Sequence, residues 1–291
     1  MISPLETFHI PGQLTILSGP GNLPKIRVET QWSSAEIHLH GAQVTHFQKK
    51  GDAPLLFLSA ASDYVLGKPI RGGVPIIFPW FGSREGLPAH GFARTVPWNL
   101  VETAVLGSGE IRLRLALPTI AFFEAEFIVT VGESLSMELL VRNSGKQETA
   151  LETCLHTYFQ ISDIAAISIH GLAGAACVDK LADRAFVESE APLTIGSEME
   201  RVYRDTTATV EIVDPGLSRV IRIEKSGSMS TVVWNPWIEK SKRMPDFGDD
   251  EYPQMLCVES GNIGDDSLNL LPGALAAMKV VLSSHGIPAA R

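Results

Sequence analysis

The stretch Ala125–Gly145, AEFIVTVGESLSMELLVRNSG, decides the fold class. Apolar residues alternate with other residues through Phe127, Val129 and Val131. They stop at Gly132-Glu133 and resume through Leu135, Met137 and Leu139. A period of two puts one side of an extended chain on a core and the other toward water. The stretch therefore predicts two strands around a turn.

The same pattern extends in both directions. AEIHLHGAQVTHFQ (35–48) alternates through Ile37, Leu39 and Val44, and EIRLRLAL (110–117) alternates cleanly. TVEIVD (209–214), SRVIRIEKSG (218–227) and MSTVVWN (229–235) continue it. LAAMKVVLSS (275–284) follows Leu-Pro-Gly and carries Val-Val, which favours a strand over a helix. Long helical periodicity is absent. Many short alternating runs, broken by Gly, Pro, Asn and Asp, predict an all-β fold, a large antiparallel β-sandwich. With 291 residues, 45% of them hydrophobic, the chain can bury a large core, and residues 1–291 read as a single domain.

The net charge of −9 argues against nucleic acid or an anionic membrane as partner. It leaves room for a local cationic cluster facing a small anion. Cys154, Cys177 and Cys257 have neither close spacing nor an even count, so they read as reduced thiols of a cytoplasmic protein. MISPLETFHIPGQL at the start lacks a basic segment followed by an apolar run, so no signal peptide is expected. No run approaches the roughly 18 apolar residues of a membrane span.

IRGGVPIIFPWFGSREGLPAHGFAR (70–94) opens on Arg71 and closes on His90 and Arg94. Guanidinium forks suit phosphate or carboxylate, although an arginine is more often an ordinary surface residue. Gly72-Gly73 and Gly91 would let backbone approach a ligand, and the prolines predict a stiff loop. His90 either touches a ligand or caps a turn. In ETCLHTYFQI (152–161), the flanks of His156 read as a buried strand. That makes it either a core histidine or a group aimed into a cleft. Glu259 follows the apolar run Met255–Val258. It is either a strand-end carboxylate facing water or a buried general base. His38 and His40 share one strand face, as metal ligands can, but no third ligand stands nearby. PDFGDDEY (245–252) lacks calcium-loop spacing and reads as a solvated acidic loop.

Taken together, RGGVPIIFPWFG, LPAHGFAR, LHTYF and VVWNPWIEKSKRMPDFGDDEYPQMLCVESGNI occur in the order seen in hexose-6-phosphate mutarotases. These are the glucose-6-phosphate 1-epimerase branch of the aldose 1-epimerase superfamily, and the resemblance runs from about residue 30 to the last strand. It implies the galactose mutarotase-like supersandwich and acid–base interconversion of sugar-phosphate anomers, with a small-molecule sugar phosphate as partner and no metal or cofactor. It implies His156 as general acid and Glu259 as general base, with Arg71, His90, Arg94 and Glu200 holding substrate. A monomer is expected. Ala89 and Glu200 depart from the branch, which often has Gln and Asp there, and so bear on sugar specificity. The alternatives are an aldose 1-epimerase for unphosphorylated sugars and a non-catalytic carbohydrate-binding module. A glycoside hydrolase would need a second carboxylate facing the same bond.

Overall fold

The structure is a computed structural model, and it describes residues 4–120 and 122–287. The deciding stretch forms strands Phe123–Val131 and Leu135–Asn143, paired antiparallel from Phe123↔Asn143 to Val131↔Leu135. Their burial alternates as the sequence does, with Phe127, Val129, Met137 and Leu139 inside. This hairpin lies within one eight-stranded sheet. Leu275–Gly286, a strand as expected, joins it to Arg219–Ser226.

A second eight-stranded sheet runs in order Arg184–Val187, Ala176–Asp179, Met199–Arg204, Ser230–Asn235, Met255–Asn262, Thr153–Leu155 and Ile76–Ile77. Tyr158–Gln160 also pairs with Met255–Asn262. The named strands pair antiparallel, and a four-stranded sheet of Leu14–Lys49 closes one side. Side chains of the two large sheets, among them Val233, Leu256 and Val258 against Ile221, Met137 and Val280, form one hydrophobic cluster. This is the β-sandwich that the period-two runs predict.

The strand Met255–Asn262 is buried at every position. Leu256 and Val258 point into the sandwich core, whereas Met255 and Cys257 belong to a second cluster with Val232, Trp234, Tyr158 and Phe247. Alternation therefore places Glu259, two residues after Cys257, on the outer face of this sheet rather than in the core.

One expectation needs correction and a second is extended. The run between Arg71 and Arg94 is not loop throughout, because Ile76–Ile77 pairs with Cys154 and Leu155 as an edge strand. The glycines are also required by the chain's own crossings. Gly73 sits at φ +61°, where a Cβ would lie 2.2 Å from the Val44 carbonyl oxygen, and at Gly91 (φ +71°) the Phe78 oxygen would be 1.9 Å away. Adding a methyl forces backbone apart and imposes left-handed strain. Gly73→Ala is expected to lower unfolding stability by about 2 kcal/mol or more in urea titration. A change near zero would show that this crossing is not tight.

Candidate active site

All six residues expected at the site, Arg71, His90, Arg94, His156, Glu200 and Glu259, line one cleft of about 450 Å³. That volume falls among small-molecule sites, roughly 300–1,000 Å³. The cleft opens on the outer face of the second sheet.

Its floor is an interrupted ladder. Thr153–Leu155 pairs with Met255–Asn262 as far as Leu155↔Ser260, and pairing resumes at Tyr158↔Cys257. In between, the His156 N–H stays with the edge strand, donating to the Pro75 carbonyl at 3.0 Å, and the Thr157 N–H folds back to the Leu155 carbonyl at 3.0 Å. The sequence reads as a continuous strand here, but His156 stands in the break, 8% exposed. The break sets its ring facing Glu259, which is 1% exposed, with His156 Nε2 3.2 Å from Glu259 Oε1. The Cys154 thiol donates to the other carboxylate oxygen at 3.5 Å.

Burial pushes the Glu259 pKa well up and the His156 pKa well down, and His90, Arg94 and Arg71 add to the second effect. The two groups titrate as a coupled pair. Desolvation favours its neutral form, with the shared proton on Glu259. His156 stacks on Tyr158, centroids 4.8 Å apart, and meets Trp234 edge-on at 6.0 Å. These contacts fix the plane of the imidazole.

His90 takes φ +65° and exchanges two bonds with Gly82. Its N–H donates to the Gly82 carbonyl at 2.7 Å, and its Nδ1 accepts from the Gly82 N–H at 3.3 Å. An accepting Nδ1 leaves the proton on Nε2. Burial, Arg94 and Arg71 lower the His90 pKa to about 3, so it remains a neutral donor.

The cations differ in how far they are committed. Arg71 makes a bidentate pair with Asp246, at 2.9 and 3.1 Å from Nη2, and donates to the Tyr158 hydroxyl at 3.0 Å. Burial opposes its charge, yet Tyr158 and Asp246 outweigh burial and raise its pKa. Lys240 lies 3.3 Å from both Glu198 and Glu200 and over the Trp234 ring. Arg94 is 8% exposed, and its Nη2 donates to the Ala89 carbonyl at 2.9 Å. Among the described residues it has no ion pair, and burial lowers its pKa to about 10.

Sequence reasoning missed Asp246, Tyr158, Trp234 and Lys240 as site residues. Tyr158 was within reach, two positions from His156 on a period of two. The acidic loop was read as solvated, but Asp246 clamps Arg71 and Glu251 binds the Ser59 hydroxyl at 2.6 Å. His38 and His40 turn to different partners, Thr45 and the Lys68 carbonyl. They are not among the metal-ligand clusters of the described residues.

The chain is similar in sequence and fold to known proteins. A Cenchrus ciliaris protein ascribed glucose-6-phosphate 1-epimerase activity is 34% identical over 267 residues, 86% of this chain and 81% of its own. An Escherichia coli K12 protein with the same ascribed activity is 34% identical over 248 residues, 82% of this chain and 83% of its own. The crystal structure of a Salmonella typhimurium protein ascribed mutarotase activity superposes with TM-score 0.88 at 27% identity, covering 96% of both chains. Residues 24–283 match the family described as aldose 1-epimerase, and with these relatives and this fold the chain belongs to that family.

Proposed function

We propose that the chain interconverts the α and β anomers of a hexose 6-phosphate, glucose 6-phosphate first, by acid–base opening and closure of the hemiacetal ring. The carrying observation is the buried His156–Glu259 pair, 3.2 Å apart, on the floor of a cleft walled by Arg71 and Arg94. The activity ascribed to the relatives supports the sugar class.

Ring opening removes the proton from the C1 hydroxyl and adds one to the ring oxygen. Both oxygens are bonded to C1, so two groups in mutual contact can face them together. Shifting the shared proton from Glu259 to His156 leaves a carboxylate and an imidazolium without changing the pair's proton count. Glu259 then takes the hydroxyl proton while His156 protonates the ring oxygen. Rotation about C1–C2 turns the other carbonyl face, and closure reuses the pair with roles exchanged. His90 offers Nε2–H to a sugar hydroxyl, Glu200 accepts from one, and Arg94 supplies charge to the phosphate. Fixing the phosphate orients C1 without entering the reaction.

One observation favours a second reading, mutarotation of free sugars: Asp246 already neutralises Arg71, and Glu198 and Glu200 neutralise Lys240. Anomer exchange by NMR, on glucose 6-phosphate and glucose in parallel, decides between them. Faster exchange of the phosphate is expected, and exchange confined to glucose would make the second reading correct. Exchange of neither would sink both.

His156→Ala and Glu259→Ala are each expected to slow exchange by about 10²–10⁴-fold. The active pair holds one proton. Acid adds a second and alkali removes the first, so the rate should fall on both sides of an optimum. Because burial lowers the His156 pKa and raises that of Glu259, the acid limb should lie below the ordinary histidine range and the alkaline limb well above the ordinary carboxylate range, and a rate that falls at neither extreme would remove the pair from the mechanism.

Arg94→Ala is expected to raise KM for the phosphorylated sugar by about 10–100-fold and to spare glucose, as loss of a charge-assisted bond does. Arg71→Ala alone leaves Asp246 as an unpaired anion in the wall. The double variant Arg71→Ala/Asp246→Ala isolates the arginine's share.

A further inference from the structure

We propose that the floor of the cleft is also a binding site for a zinc-class divalent cation, held by His156 Nε2, Glu259 Oε1 and Cys257 Sγ, and that its occupation shuts the cleft's chemistry off. An imidazole nitrogen of His156, a carboxylate oxygen of Glu259 and the Cys257 sulfur lie within 4.8 Å of one another, and all three residues are buried. His156 Nε2 and Glu259 Oε1, at 3.2 Å, already have the separation of two ligands on one tetrahedral ion. Zinc bonds of about 2.0–2.3 Å put ligand pairs roughly 3.3–3.8 Å apart, so the Cys257 sulfur, within 4.8 Å of the other donors, needs to close by no more than about 1–1.5 Å.

The chemistry of the donors suits the ion. Imidazole, thiolate and carboxylate are the zinc ligand types, and three protein ligands leave a fourth position open toward the cleft. Binding releases the Cys257 thiol proton and the proton shared by His156 and Glu259. One thiolate and one carboxylate then cancel the ion's two charges. That neutrality offsets the repulsion of Arg71 and Arg94, which line the same cleft. Cys257 sits in register between Tyr158 and Trp234, the rings that hold His156 in place. Cys154 takes the other carboxylate oxygen and so leaves Oε1 free for the ion.

The inhibitory half of this inference rests on the acid–base reading of the pair, whereas the binding half does not. Cobalt(II) is therefore the probe, because a thiolate ligand gives it a near-ultraviolet charge-transfer band independent of any activity. Full-length protein, stripped with chelator, is titrated with cobalt(II) and then zinc, and anomer exchange is followed along the same titration. One equivalent should produce the band, zinc should bleach it, and exchange should fall at least tenfold as the site fills. Cys257→Ala and Cys257→Ser should lose the band, as should His156→Ala, whereas Cys154→Ala should keep it. Melting curves identify a variant that has failed to fold. The site is wrong if the parent gives no band, or if the band survives in a folded Cys257 variant. The inhibition is wrong if the parent exchanges anomers at full rate with one ion bound. A stripped parent inactive on every sugar would overturn the catalytic reading, leaving the band to judge the site.

Discussion

The strand Met255–Asn262 has no face left for water, and that constraint organises the molecule. One side must supply apolar groups to the sandwich, and Leu256 and Val258 do so. The other side must also be covered. Tyr158, Trp234, Val232 and Phe247 pack there with Met255 and Cys257, and Val232 stands in register beside the buried Glu259. A carboxylate at that position loses most of its hydration, which is why its proton is held so firmly. The interrupted ladder beside it then decides what the carboxylate meets. Had Thr153–Leu155 run unbroken into Tyr158–Gln160, the pairing with Met255–Asn262 would have continued past His156. The Thr157 N–H instead folds back on the Leu155 carbonyl, and that turn interrupts the ladder beside Glu259.

Charge in the cleft follows a similar economy. Three cations line it, and two already hold carboxylates: Arg71 holds Asp246, and Lys240 holds Glu198 and Glu200. Burial depresses the Arg94 pKa, and among the described residues Arg94 makes no ion pair, its Nη2 donating to the Ala89 carbonyl. An anion that reaches the buried Arg94 finds a charge no carboxylate already holds. Arg71 is held in place by its pairing, so it can orient a ligand with little cost in side-chain freedom.

Most of the fold was legible because alternation reports burial directly. The hairpin around Gly132 and the last strand lie where the pattern puts them. The flanks of His156 are the buried strands their composition predicts, whereas the two-residue break between them leaves composition unchanged and shows only in backbone hydrogen bonds. The glycines were legible as places of close approach but not as to what approaches, because the Val44 and Phe78 carbonyls come from distant or folded-back chain. The six site residues were named from motifs, and the cleft gathers them all. Asp246 escaped notice because its partner lies 175 positions away, beyond any local signal.

The contact between His156 and Glu259 has a consequence for how sealed the cleft can be. A pair that begins with one proton and ends with one needs no buffer molecule to visit it between turnovers. A sugar processed there would leave with as many hydrogens as it brought, with its carbon-bound hydrogens untouched. Such a site is free to exclude bulk water throughout its cycle. The aromatic walls around His156 then insulate a pair that trades protons with the sugar alone.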